Sequence, residues 1–469
     1  MNKLVEAVKK TQANKKTVTE NGMKARVSTA NSNLDLFFKI GASRGKDILP
    51  LFNQAYTENK EYALRIAMWT RDIRSGAGER QLYLDIVKHL ELVNYTDAII
   101  LIDKIKELGR FKDLFSINYE NMHVQNHVFE IVKKAIFDEK NALAAKWTPR
   151  KGVMANRFRK FLNLKPKDYR QQLAELSNTV EQKMSANKWN EINYNHTPSL
   201  TMSRNKKAFK KHDEDRFNLY KTALQDGTAK VNAAALYPYD VLKALENDHD
   251  EIIAKSQWDA LPNYLGEQNI LPMVDVSGSM SQQVHGTKLN IMNVAISLGL
   301  YIADKSKGSL RNTLLTFTDT PYLFALNDNQ SLSQKVKLIT KDVGYSTNLE
   351  QAFNTLLTFA KNNNVPVKDM PEYLLVISDM QFNDSSINGK SVSAFNMIKN
   401  EYEKSGYIMP KLVFWNMAAK DNVPVKFNKD GVALISGFSP SIMKSVLAAK
   451  EFNPMDVMLE TIMNERYSL

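Results

Sequence analysis

From about Leu34 onward, apolar residues recur at three- and four-residue spacings: Leu51, Phe52 and Ala55; Tyr62, Ala63, Ile66 and Ala67; Leu82, Leu84, Ile86, Val87 and Leu90. That spacing puts them on one face of a helix, so it predicts consecutive amphipathic helices. The pattern returns over 99–108 and 128–136, with breaks at Gly76, Gly78 and Gly109 separating helical pairs of similar size. Residues 34–250 are therefore expected to be mostly helical, built as helical repeats without a period regular enough to name. Near residue 260 the pattern changes. Apolar runs of strand length at 270–276, 313–318, 373–378, 411–416 and 432–436 alternate with helical patterns near 288–306, 332–340, 349–361, 394–404 and 439–449. Largely apolar strands alternating with helices predict a doubly wound α/β domain, a mostly parallel sheet covered on both faces, with ligands at the carboxyl ends of its strands. The polar, Lys- and Asn-rich residues 1–30 are expected to form a flexible leader. The reading thus has three parts: a leader at 1–30, an all-α helical-repeat region at 31–260 and an α/β domain at 261–469.

Composition narrows the classes. The longest apolar run, 291–303, is thirteen residues and contains Asn293 and Ser297. This is too short for a spanning helix, and the first twenty residues show no apolar targeting segment, so a cytoplasmic protein without a membrane partner is expected. The absence of cysteine excludes disulfides, zinc–thiolate sites and cysteine nucleophiles. Charge is unevenly spread. The net charge is +12, and residues 133–221 hold 21 Lys or Arg against 9 Asp or Glu, so this segment accounts for the whole excess. A basic insert at about 140–221 in an otherwise neutral chain suits a polyanion partner.

The clearest chemistry follows the first predicted strand, where Asp275, Ser277 and Ser279 offer three short oxygen donors at alternate positions. Mg²⁺ or Mn²⁺ takes oxygen ligands, usually one or two carboxylates with hydroxyls and waters. Further donors are expected from Thr347, before a helix, and from Asp379, at the end of a buried strand. In this order and placing, the pieces resemble the metal-ion-dependent adhesion site of the von Willebrand factor A domain, written Asp-x-Ser-x-Ser, then Thr, then Asp. The resemblance covers roughly 265–469 and implies Asp275, Ser277, Ser279, Thr347 and Asp379 as metal ligands, direct or through water. Two departures stand out: Met380 occupies a position where the family often has Gly, and Ser346 places a second hydroxyl beside Thr347. The simpler alternative is that Asp275 and Ser279 cap the following helix. In the family, the open metal position accepts a carboxylate from a protein partner, which makes the site a docking device and not an enzyme. No Gly-x-Ser-x-Gly elbow accompanies this motif, and His285 is the nearest candidate base.

In the amino-terminal half, Arg65, Arg71, Arg74 and Arg80 surround a Gly-rich turn. Two readings are open: these arginines line a polyanion surface, or they pair with Asp72, Glu79 and Asp85. Helical repeats ahead of an A domain, with the Arg71–Arg80 turn, resemble the Ro autoantigen family and its TROVE module. That resemblance implies a monomeric ring of HEAT-like repeats closed by the A domain, binding small structured RNAs outside and single-stranded ends in its hole. Lys146, Arg150, Lys151, Arg157, Arg159 and Lys160 form one basic cluster, and Arg204, Lys206, Lys207, Lys210 and Lys211 a second. Trp147, Phe158, Phe161 and Phe209 are interleaved, so cations for phosphates and rings for unpaired bases lie close in sequence. The competing reading makes the rings helix core and the lysines a solvated face. Residues 187–211, rich in Asn, Ser, Thr and Lys, are expected to be a loop that orders on RNA. Residues 41–47 resemble a phosphate loop but fall one residue short and end in Asp47, while His123 and His127 lack the Glu of a zinc protease. The expected function is a non-enzymatic, RNA-binding, Ro-like protein with a Mg²⁺ site. The alternatives are a metal-dependent protein-interaction module and a Mg²⁺-dependent nuclease.

Overall fold

A computed structural model describes residues 16–469 apart from 232, 234, 249, 319, 342, 343, 345, 346, 389 and 421. The chain divides into two compact units. One comprises residues up to Ile66, Tyr237–Lys255 and Pro262–Ser468; the other comprises Ala67–Leu236 and Ser256–Leu261.

The first unit is built on a six-stranded sheet. In chain order its strands are β1 (Ile270–Asp275), β2 (Thr313–Phe317), β3 (Tyr322–Ala325), β4 (Tyr373–Ser378), β5 (Lys411–Asn416) and β6 (Val432–Ser436). Across the sheet they lie in the order β6, β5, β4, β1, β2, β3. All neighbours are parallel except β3, which runs antiparallel to β2 at the edge. Every residue of β1, β4 and β6 is buried, as expected of strands covered on both faces. Four-residue β3 is mostly half-exposed, and its lack of a buried run is why no strand was predicted there. On one face, Leu271, Met273, Leu374 and Val376 pack with Phe353 and Leu356 of helix Leu349–Asn362 and with Met397 and Ile398 of helix Ala394–Ser405. On the other lies helix Ile291–Lys305, which contains the long apolar run. Gly299 permits this contact: a Cβ there would come within 2.3 Å of Val274 Cγ2.

Residues 16–66 belong to this α/β unit, so the boundaries at 30 and 260 do not coincide with the compact units. Residues 1–15 lie outside the described residues, but 16–30 are not a loose leader. Lys16–Val18 pairs with Lys24–Arg26 as a hairpin. Arg26 then exchanges backbone hydrogen bonds of 3.0 and 2.9 Å with Val423. Polar composition suggested a free segment, but the segment satisfies its backbone groups by pairing with distant loops, which composition does not report. The following helix, Ser32–Ile40, is tied to the sheet through the Phe37 and Phe38 carbonyls, which accept from Ser436 Oγ and Asn416 Nδ2.

The second unit is helical, with helices including Arg80–Val93, Tyr95–Leu108, Met122–Lys133, Val153–Phe161, Pro166–Leu176, Ser199–His212 and Glu214–Gln225. Its Gly-rich turn has a steric cause, since a Cβ at Gly76 would lie 2.0 Å from the Trp69 carbonyl oxygen. Among the described residues no helix is long and apolar enough to cross a membrane. The chain thus combines an amino-terminal helical region with a carboxyl-terminal α/β sheet, the expected fold class.

Candidate metal centre and basic surface

The sheet presents a row of polar residues at its carboxyl edge: Asp275 ends β1, Ser378 ends β4, Asn416 ends β5 and Ser436 ends β6. Ser378, Asn416 and Ser436 are in register across three strands. Each works as a connector. Ser378 donates from its hydroxyl to Asp275 Oδ2 at 2.6 Å and accepts from the Met380 amide at 3.0 Å. Ser378 was not foreseen; the available signal was a polar residue closing an otherwise apolar strand, immediately before Asp379.

All five predicted ligands come together at this edge. The Ser277 amide donates to Asp275 Oδ1 at 3.0 Å. Ser277 Oγ lies 3.2 Å from Ser279 Oγ and accepts from Thr347 Oγ1 at 3.0 Å. Ser279 hydrogen-bonds Asp379, whose Oδ1 also accepts from the Gln381 amide at 3.1 Å. The loops themselves are joined, because Ser277 bridges to Gly344 and the Thr347 carbonyl accepts from the Asn383 amide. Ser346 lies outside the described residues.

Asp275 and Asp379 are both fully buried, and Asp379 Oδ2 has no hydrogen-bond partner. Burial pushes the Asp275 carboxyl up to about 7, with the Asp379 charge adding to the effect and hydrogen bonds from Ser277 and Ser378 opposing it. Burial also raises Asp379, while the Gln381 amide, Ser279 and Lys420 act the other way. A pair of desolvated carboxylates beside three hydroxyls, with one carboxylate oxygen unsatisfied, is a donor set that a divalent cation would neutralise. The geometry therefore fits Mg²⁺ or Mn²⁺. Simple helix capping does not account for it, since Ser277 and Ser279 interact with Thr347 and Asp379 from other loops. Met380 is buried in the left-handed region at φ 65°. That conformation is one that glycine adopts most readily, which explains the residue type expected at this position. His285 is exposed and packs over Gly45, where a Cβ would meet its ring at 2.3 Å; no described hydrogen bond links it to the cluster. Lys46, within the stretch that resembled a phosphate loop, instead donates to the Ala418 and Ala419 carbonyls.

The predicted RNA-binding residues separate into three groups. Arg71 and Lys206 are buried, which corrects their placement on a polyanion surface. Arg71 is fully enclosed, and its Nε donates to Asp113 Oδ2 at 2.8 Å, while Arg80 donates to Asp113 Oδ1 at 2.5 Å. For Arg71 and Arg80 the pairing alternative was right in kind, with Asp113, remote in sequence, as an acid that spacing along the chain did not suggest. Lys146, Arg150 and Arg159 are half-buried and engaged. Lys146 pairs with Glu181 at 2.8 Å, Arg150 donates to Leu173 O and Ser177 Oγ, and Arg159 donates to Leu164 O. Arg74, Lys151, Arg157, Lys160, Arg204, Lys207, Lys210 and Lys211 are exposed.

The interleaved rings are mainly core. Phe158 packs against Phe115, Phe129, Phe161 and Tyr169, and Phe209 against Trp189, Tyr194 and Phe217. Phe158 and Phe209 are fully enclosed, so neither can stack on a base. Trp147 is half-buried with the Lys112 and Lys146 ammonium groups over its ring. Residues 199–212, expected within a loop, form a helix. The flat π surface that sequence missed is the stack of Trp189 on His212, 4.7 Å between centroids and 7° from parallel. His127 contacts Asp103 at 2.6 Å, consistent with a surface residue and not a zinc ligand.

Comparison with known proteins agrees with the architecture. Residues 269–467 match the family model described as Domain of unknown function (DUF7788), and residues 19–94 and 124–271 match that described as Domain of unknown function (DUF2828). An uncharacterized protein of Acanthamoeba polyphaga mimivirus is 29% identical, over 95% of this chain and 86% of its own length. Among solved structures, the Ro (RSR) protein of Deinococcus radiodurans superposes on 88% of this chain and 98% of its own, with a TM-score of 0.52 and 15% identity. The chain has a Ro-like fold.

Proposed function

We propose that this chain is a non-enzymatic RNA-binding protein of Ro-like type whose α/β unit carries a Mg²⁺ or Mn²⁺ site. The observation that carries the reading is the exposure of Lys151, Lys160, Lys207, Lys210 and Lys211 within the one segment that holds the chain's excess positive charge. Cations on helix surfaces supply the salt-dependent phosphate contacts of RNA binding. The stacked Trp189 and His212 rings lie beside these lysines in sequence and add a surface on which an unpaired base can stack. The likeness of fold to a Ro protein supports the same reading.

Asp275, Ser277, Ser279, Thr347 and Asp379 would hold the metal, as in the von Willebrand A resemblance. The metal would supply a Lewis-acidic position for a partner's carboxylate. The chain's own hydroxyls hold the two carboxylates in place.

The test is binding of single-stranded and hairpin RNA to the full chain as salt is varied. Replacing Lys151, Lys160, Lys207 and Lys210 by Gln should lower affinity and flatten the logarithmic salt slope by roughly three units, at about 0.7 per lost phosphate contact on a single strand. Asp275→Ala should leave the slope unchanged. An unaltered slope in the lysine variant rejects the RNA reading, and RNA cleaved in a Mg²⁺-dependent manner rejects the non-enzymatic one.

A further inference from the structure

The α/β unit has a second concave feature. A cleft of about 440 Å³ opens between strand Lys24–Arg26, the start of helix Ala394–Ser405 and the segment 424–429. Lys16, Lys24, Arg26, Lys426 and Lys429 line it, and among the described residues no carboxylate does. Lys16, Lys24, Arg26 and Lys429 form no ion pair among the described residues. The four like charges of Lys16, Lys24, Arg26 and Lys429 around one cleft repel one another and are screened only by solvent ions. A fold gains by such an arrangement when an anion occupies it.

Three further observations specify the anion. The walls are fixed by backbone pairing, with Arg26 hydrogen-bonded to Val423 in both directions and Lys24 bridged to Ser393, so the cations project from a built frame. The floor is apolar, with Val425 and Phe395 nearly buried and Lys429 Nζ 4.2 Å from the centre of the Phe395 ring. At one end, helix Ala394–Ser405 begins with no side-chain cap and no acidic residue in its first turn, leaving its first amides available to negative oxygens. Converging cations suit phosphates, an apolar floor suits the body of a base, and the volume falls within the usual range for small-ligand sites.

We propose that this cleft binds a phosphorylated nucleotide, with its phosphates on Lys24, Arg26 and Lys426 and its base against the apolar floor at Val425. The same chemistry is offered by a free nucleoside triphosphate and by the 5′-triphosphorylated end of an RNA strand. The inference does not depend on the lysines of the helical unit.

The experiment is calorimetric titration of the full chain with ATP, inorganic tripolyphosphate and adenosine, followed by competition with a short RNA carrying either a 5′-triphosphate or a 5′-hydroxyl. ATP and tripolyphosphate should bind saturably, and adenosine at least tenfold more weakly. Arg26→Gln with Lys426→Gln should weaken ATP at least tenfold, as should Lys24→Glu, an exposed change that leaves the frame intact. The Lys151, Lys160, Lys207 and Lys210 variant should retain ATP binding. Competition by the triphosphorylated strand alone identifies an RNA end as the source, whereas competition by neither strand identifies a free nucleotide. Absence of saturable binding by both ATP and tripolyphosphate, or ATP binding insensitive to both cleft variants, overturns the proposal.

Discussion

The two units each bury carboxylates and treat them in opposite ways. In the helical unit Asp113 is fully enclosed, yet both oxygens are satisfied by Arg71, Arg80 and the Arg110 amide. The arginines hold its carboxyl below the usual range despite burial. In the α/β unit Asp275 and Asp379 are equally enclosed, have no bonded cation among the described residues, and are raised. A buried charge must be compensated by something. Asp113 is compensated from within the chain, which makes it part of the framework. Asp275 and Asp379 are the pair that the proposed metal would compensate. Burial alone therefore does not set which way a carboxyl is shifted; the presence of an internal counter-charge does.

The sharpest way to break this comparison is Asp113→Asn, which leaves Arg71 charged and without its carboxylate in the interior. It should cost about 3–5 kcal/mol, as expected for one partner removed from a buried ion pair, read from the denaturant midpoint. A loss under about 1 kcal/mol would mean that Asp113 is not the compensated acid described.

Metal addition comes next. Mg²⁺ or Mn²⁺ at a hundred times its dissociation constant should stabilise the folded chain by about 2.7 kcal/mol, visible as a rise in melting temperature. The same addition should do nothing for Asp275→Ala, and an equal rise in both proteins would place the metal elsewhere.

In chelator at pH 8, Asp379→Asn should lack the large loss expected of Asp113→Asn. Removing one of two repelling buried carboxylates should leave stability within about 1 kcal/mol of wild type or raise it. A large loss in this variant would remove the contrast between the two units.

The remaining contrast lies in pH dependence. Asp113, depressed in the fold, contributes stability that is present above its unfolded pKa of 3.8 and is lost as pH falls through the lower folded value. Asp275, raised from 3.8 to about 7, binds a proton more readily in the fold. Without metal, stability should therefore decline as pH rises across that interval, and Asp275→Asn should flatten the decline. Unfolding midpoints in chelator from pH 2 to 8 measure both; a flat wild-type profile between pH 4 and 7 contradicts the raised Asp275.

The candidate metal cluster was legible because its residues are the same short oxygen donors wherever they occur, and because alternating strands and helices place them at one sheet edge. Tyr373–Ser378, Lys411–Asn416 and Val432–Ser436 were read to the residue, since each is an apolar run bounded by turn residues. The basic surface was less legible. Arg71 and Lys151 look alike in sequence, but one is enclosed beside Asp113 and the other is exposed. Phe158 likewise sits between Arg157 and Arg159, yet it points into a cluster of rings.

Hydrophobic periodicity, local and repeated, determined by itself the helical half, the α/β half and the strand ends from which Asp275 and Asp379 project. Tertiary structure decided what depends on pairings between residues far apart in the chain. It set Asp113 between Arg71 and Arg80, placed Ser378 against Asp275, and drew residues 16–66 into the α/β unit. The physical reason is range: periodicity is a property of neighbours along the chain, whereas the compensation of a buried charge or backbone group depends on whatever the fold brings beside it.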